Sequence, residues 1–244
     1  MTPFDLINTE RYRSSPFSIP CPHCGSIATY RTEKTKAFAS FESKIAVDYG
    51  GADRDALQGT IFAECQCTNR ECQEYTFFVA HYVTESSEDE GTQVFLQRFR
   101  IACFFPPVPL IKVPTGTPAP VRSLLKRSFA PAFMDQSASG NLLRSAIENL
   151  LTGLNVARFT TSKGKRRRLT LHDRILKIPP SLANQKDKLL AIKWIGNFAS
   201  HDTLSTAGLR AAFEIVEDVL EDIYGVRKRD LMRSVKRINR RRRP

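Results

Sequence analysis

The sequence predicts an α+β chain: a β-rich ribbon module built on a metal site, then a helical bundle and a basic tail. Three observations carry this. All six cysteines precede residue 105, among segments rich in β-branched and aromatic residues, as strands are. Six prolines (106, 107, 109, 114, 118 and 120) then crowd a short stretch that cannot be helical and favours extended chain. From Val121 onward the apolar spacing has helical period. The boundaries follow: a β module over 1–105, a Pro-rich linker over 106–120, a helical domain over 121–226 and a basic tail over 227–244.

Bulk properties set the class. The 244 residues are 41% hydrophobic and 25% charged, the balance of a soluble globular chain. No apolar run is long enough to cross a bilayer, and the N-terminus lacks the pattern of a secretion signal. The expectation is a cytoplasmic protein without a membrane partner, where thiols stay reduced and read as metal ligands before disulfides.

Strands are expected at 26–32, 75–84 and 94–105, the last two forming a hairpin across the acidic turn Glu85–Thr92. The stretch from Lys34 to Thr60, with Tyr49-Gly-Gly-Ala-Asp53, reads as a loop. Helices are expected near 121–135, 140–157, 170–178, 183–201 and 206–224. Thr170-Leu-His-Asp173 has capping-box spacing, and Pro179-Pro180 ends the helix it opens.

Cys21-Pro-His-Cys24-Gly25 has the form of a zinc knuckle, a tight turn presenting two sulfurs to one metal. Cys67-Thr-Asn-Arg-Glu-Cys72 supplies the second pair, giving one structural, tetrahedral Zn(II) per chain held by Cys21, Cys24, Cys67 and Cys72. Cys65 competes with Cys67, but 65 and 67 lie in an extended segment with no turn between them. His23 or His81 stands as an alternative ligand. Arg31, Arg70 and Lys34 are placed to offset the site's formal −2.

Residues Cys21–Thr32 and Cys65–Phe77 resemble the Ogr/Delta zinc finger of phage late-gene activators. The spacer between the cysteine pairs is longer here, and Gln73 stands where that family usually has Gly. The resemblance implies a zinc finger and a transcription-activator function.

In the helical region, Lys193, Asn197 and His201 recur at i, i+4, i+8 and share one face. Leu190, Trp194 and Phe198 form the neighbouring apolar stripe. Gly196, costing about 1 kcal/mol in a helix interior, points to close approach of another helix. Arg144 and Glu148 form an i, i+4 pair on a second helix. These polar groups read either as an inter-helix hydrogen-bond network or as a catalytic cluster with His201 as general acid/base.

The Pro-rich entry, Arg144-x-x-x-Glu148, Leu171-x-x-x-Ile175 and Lys193-Trp-Ile-Gly-Asn-Phe-Ala-Ser-His201 are similar to the domain-of-unknown-function 4145 family, related to the HEPN superfamily. The resemblance implies a HEPN-like bundle, often joined to an N-terminal zinc ribbon. HEPN ribonucleases carry Arg five residues before the His; that position here is Gly196, with Arg144 or Lys193 as the available cations.

Net charge is +12, and Arg227–Pro244 holds ten Lys/Arg against one acid, which is +9 of it. The candidate polyanion contacts are Arg227, Lys228, Arg229, Arg233, Lys236, Arg237, Arg240, Arg241, Arg242 and Arg243. Lys165, Arg166, Arg167 and Arg168, in a basic loop, add to them. Guanidinium forks match phosphate bidentately, and basic tails bind polyanions by counterion release. The expected function is a zinc-binding, nucleic-acid-associated interaction or regulatory protein, in a phage-defence or mobile-element setting. RNA or DNA is the partner, with a homodimer or protein contact through the helical domain. The alternatives are a metal-independent HEPN-type ribonuclease using His201 and an Ogr/Delta-like activator.

Overall fold

A computed structural model describes residues 2–50, 57–89, 92–162, 164–201 and 203–241, with the side chains of residues 89, 93, 162, 198–201 and 227–229 excepted. The chain is mixed α+β, a curled antiparallel sheet followed by helices. It divides into two units. The β unit is Met1–Leu110 with Phe129–Asp135, and the helical unit is Ile111–Ser128 with Gln136–Pro244.

The β unit contains β1 (Glu10–Tyr12), β2 (Ser18–Pro20), β3 (Ile27–Tyr30), β4 (Lys36–Ala39), α1 (Phe41–Asp48), β5 (Gln58–Cys67), β6 (Tyr75–Asp89) and β7 (Thr92–Phe105). Its strand order is β1-β7-β6-β5-β3-β2, with β4 also on β5. Strands β1 and β2 are therefore the two ends of the path, yet only residues 13–17 join them. Five gaps of about 4.8 Å would put the ends of a flat sheet about 24 Å apart. The six Cα steps from Tyr12 to Ser18 reach about 21 Å at most. The sheet has to curl. A register shift at Val79/Ala80 against β7 adds twist.

Arg13 closes the curl. Its backbone N–H donates to Gln97 O at 2.9 Å on β7, and its Nη2 donates to Thr35 O at 2.7 Å beyond β3. Inside lies an aromatic core. Phe17 stacks on Tyr30 at 4.9 Å, Phe78 on Phe99 at 5.8 Å, and Phe104 meets Phe133 edge-on at 5.0 Å.

Two expectations for this unit change. The stretch read as a loop contains β4, paired with β5, and α1, whose N-cap Ser40 accepts from the Ser43 N–H at 3.1 Å. Residues 51–56 of it lie outside the described residues. The hairpin strands also run through the acidic stretch to Asp89, because main-chain pairing with β7 continues past the apolar residues.

The helical unit contains α2 (Ala119–Phe129), α3 (Gln136–Gly153), the β8–β9 hairpin (Phe159–Ser162, Lys165–Arg168), α4 (Leu171–Leu176), α5 (Lys186–His201), α6 (Thr206–Tyr224) and α7 (Val226–Arg241). Its core comes from residues three and four apart. Leu143, Ile147, Leu150 and Leu151 of α3 are buried with Leu209, Phe213, Val216 and Leu220 of α6.

Helix α2 is shorter than the expected 121–135, since Pro131 opens a separate 3-10 turn over Pro131–Phe133. The Thr170 capping box forms, Thr170 Oγ1 accepting from Asp173 N at 3.1 Å. Lys165–Arg168 is a strand rather than a loop, with Arg166 over the Phe159 ring at 3.8 Å. The tail is helical through Arg241. In α5 Leu189, Ile192 and Gly196 are buried, Leu190 is half-buried and Trp194 is 60% exposed; the side chain of Phe198, the third member of the expected apolar stripe, lies outside the described residues. No helix among the described residues is long and apolar enough to cross a membrane.

Candidate metal centre and polar cluster

Two turns at one end of the curled sheet hold the cysteine cluster. In the first, between β2 and β3, Cys21 N donates to Ser26 O at 2.6 Å and Gly25 N to Cys21 O at 3.0 Å. Gly25 takes a φ of +75°, which only glycine adopts freely. The second, between β5 and β6, is closed by Cys67 N to Glu74 O at 2.9 Å and Cys72 N to Asn69 O at 3.0 Å. Gln73 there adopts a φ of +47° and pays the side-chain strain that glycine avoids. The turns are tied where Thr68 N donates to Ile27 O at 2.9 Å.

The sulfurs of Cys21, Cys24, Cys67 and Cys72 all lie within 4.8 Å of one another, a group that could hold a metal ion. Cys21 and Cys72 are 3.9 Å apart, Cys24 and Cys67 3.5 Å. Hydrogen bonds from the Ser26 side chain and backbone pull the Cys24 thiol down to about 6. Asn69 Nδ2 lies 3.9 Å from the same sulfur.

The four thiols are those the spacing selected, and neither Cys65 nor either histidine is among them. Cys65 is fully buried, opposite Tyr30 in the β3–β5 register, and burial pushes its thiol to about 12. His81 is exposed on the other face of β6, opposite Arg100. Arg31 is committed elsewhere: its Nε meets Glu33 at 2.7 Å, and its Nη1 reaches Gln66 at 2.9 Å and Glu64 at 3.8 Å.

In the helical unit, Arg144 Nη1 donates to Asn197 Oδ1, joining α3 to α5. Gly196 makes this crossing possible. A Cβ there would sit 3.2 Å from Arg144 Cβ and 3.3 Å from its Cδ. Lys193 does not join the pair; its Nζ lies 3.1 Å from the Trp194 ring centroid. Glu148 lies 3.9 Å from Arg144 Nε and 3.4 Å from Arg168 Nη2. His201 closes α5, and its side chain lies outside the described residues. The expected polar stripe is thus divided: Asn197 engages Arg144, and Lys193 engages Trp194.

The sequence reading missed Arg174. It is 5% exposed, and its guanidinium donates to Glu148 O at 2.9 Å, Thr152 Oγ1 at 2.9 Å and Val156 O at 3.2 Å. These acceptors lie at the C-terminal end of α3, where a cation complements the helix dipole. No local pattern marks a buried arginine whose partners are two backbone carbonyls and a threonine hydroxyl.

On the tail, Arg233, Lys236, Arg237, Arg240 and Arg241 are exposed along α7. The side chains of Arg227, Lys228 and Arg229, and all of Arg242 and Arg243, lie outside the described residues.

No curated protein and no solved structure matches the chain. Residues 127–241 match a family model described as "Domain of unknown function (DUF4145)", and the C-terminal part of the chain is similar to that domain.

Proposed function

We propose that the chain is a zinc-binding, nucleic-acid-associated interaction protein. One zinc stiffens the end of its β unit, and α7 supplies the phosphate contacts. The observation that carries this is the run of exposed cations on α7, with Asp230 the single acid from residue 227 onward. A pre-formed helix holds those cations in a fixed array, so less ordering entropy is lost on binding than for a flexible tail.

Zinc suits the cysteine group. A tetrahedral site with Zn–S of about 2.3 Å has sulfur–sulfur edges of about 3.8 Å. The 3.5 and 3.9 Å separations bracket that value. Four soft thiolates leave no open position, which favours a structural over a catalytic role.

A second reading has one specific observation in its favour. The Arg144–Asn197 contact brings a guanidinium beside Gly196, where a HEPN-type ribonuclease carries its arginine, so Arg144 would supply that cation across the helix pair.

Both readings are tested by incubating labelled RNA and DNA with full-length protein and with a chain ending at Gly225, at 50 and 200 mM salt. About five phosphate contacts from α7 predict a log–log salt slope near −4.5 and a roughly 500-fold loss of affinity between those salts. The truncated chain should bind weakly with a flat slope. Equal affinity and slope for both proteins would remove α7 from the interface. Cleavage of RNA by the full chain would favour the nuclease reading.

A further inference from the structure

The helical unit carries a second cationic feature, apart from α7. A cavity of about 270 Å³ lies between the C-terminal half of α3, the β8–β9 hairpin and α4. Its charged lining is four guanidiniums, Arg144, Arg158, Arg168 and Arg174, and one carboxylate, Glu148. Four cations against one anion leave a net +3 around a space smaller than an ordinary drug-sized pocket.

The internal carboxylate does not satisfy these cations. Arg144 Nε and Arg168 Nη2 stand 3.9 and 3.4 Å from Glu148, beyond the 2.7–2.9 Å of a closed charge-assisted bond. The nearby Asp173 is taken by the Thr170 N–H at 3.2 Å and by Arg167 at 3.8 Å. Arg158 is exposed and makes no side-chain hydrogen bond or ion pair among the described residues. Arg174 is nine-tenths buried with only neutral acceptors, and its Nε has no hydrogen-bond partner among the described residues. Burial holds its pKa below the ordinary guanidinium value; Glu148 opposes that shift, and Arg158 and Arg168 add to it.

Like charges gathered around one space repel, most of all at Arg174, where burial removes the water that would screen it. An anion of more than one charge would relieve both. A carboxylate ligand offers one charge and two oxygens in a plane, which a single guanidinium fork satisfies. A phosphomonoester carries about −1.5 to −2 at neutral pH on three terminal oxygens, which several forks can share.

We propose that this cavity binds a phosphate group in its phosphomonoester or free inorganic form, with Arg158 and Arg168 as its principal ligands. Arg174 is a positioning residue that holds the end of α3 and lends its charge. Where the phosphate is the end of a nucleic-acid strand, the assignment rests on the nucleic-acid reading above; the phosphate chemistry itself does not.

The test uses full-length protein, Arg158→Ala, and the charge-matched control Lys126→Ala, a surface change outside the cavity. Inorganic phosphate is titrated calorimetrically, with chloride at equal ionic strength as the blank. Short RNA oligomers with a 5′-phosphate, a 3′-phosphate or two hydroxyl ends are then compared. Wild type and the control should bind phosphate, and Arg158→Ala should bind it at least tenfold more weakly. A terminal phosphate that adds tenfold or more to oligomer affinity, lost in Arg158→Ala, identifies a strand end. Phosphate binding without any preference for phosphorylated ends identifies a free phosphate. Phosphate binding with no oligomer binding at all would sink the nucleic-acid reading and leave the cavity assigned. Salt-dependent oligomer binding with no phosphate uptake, or equal uptake by wild type and Arg158→Ala, overturns the cavity and leaves that reading standing.

Discussion

Replacing Cys67 and Cys65 separately by serine distinguishes a metal ligand from a core thiol two residues away. The Cys67 sulfur lies 3.5 Å from that of Cys24 within the four-cysteine group, so Cys67→Ser removes one of the four proposed ligands. Structural zinc sites bind with about 10–16 kcal/mol in isolated fingers, and three remaining thiolates keep only part of that. The β unit also has an aromatic core of its own, so metal loss should open the two turns without unfolding the sheet. Cys65→Ser instead places a hydroxyl at a fully buried site opposite Tyr30. An unpaired buried hydroxyl costs roughly 1–3 kcal/mol, so stability should fall while metal content matches that of the unaltered protein, the proposal being one zinc per chain. Metal analysis of dialysed protein, together with urea unfolding, reads both quantities. Full metal occupancy in Cys67→Ser with loss in Cys65→Ser would refute the ligand assignment and the register argument together.

Asn197→Ala should cost about 1 kcal/mol by thermal or urea unfolding, because it removes the acceptor of the Arg144 guanidinium between α3 and α5; unchanged stability with loss of an RNA-cleaving activity would make the contact catalytic. Lys188, held by Asp218 and by Asp222 at 3.1 Å, has its pKa raised, first by the hydrogen bond to Asp218. A raised lysine pKa contributes stability below the unfolded value of about 10.4 that is lost as pH rises through the folded one. Since its side chain is 34% exposed and partly screened, Lys188→Met should cost no more than about 1 kcal/mol at pH 7. That difference should vanish at pH above the lysine range, and a gap that persists there would mean packing, not charge, is responsible.

The cysteine knuckles were legible because their chemistry is local: a short spacing and a turn suffice to bring two sulfurs together. Choosing between Cys65 and Cys67 was harder, since residues two apart on a strand share a face. Strand register separates them, with Cys65 opposite Tyr30 in the core and Cys67 opposite Ala28 at the strand end. Gly196 announced a close helix approach correctly, because an interior glycine has few other uses, but which residue approached depended on tertiary packing. The segment from Lys34 to Thr60 hid β4 and α1, since short elements take most of their stability from neighbours rather than from their own pattern. In the tail, charge masked periodicity. Leu231, Val235 and Ile238 recur at i, i+4, i+7 between the arginines and are exposed on α7.

The short connection between β1 and β2 also bears on the order in which the β unit assembles. Strands β5, β6 and β7 follow one another and can zip as neighbours, whereas Glu10 must find Arg100 across most of the unit. Closing so long a stretch of chain is slow. Strand β1 is therefore the natural last piece to dock, and until it does, the outer edge of β7 stands open, whereas β2 pairs early with its sequence neighbour β3. On a ribosome the N-terminus emerges first but has nothing to pair with until β7 has been made. A chain cut short before β7 would hold β1 without a partner strand, and that intermediate is the form most exposed to aggregation and to proteases.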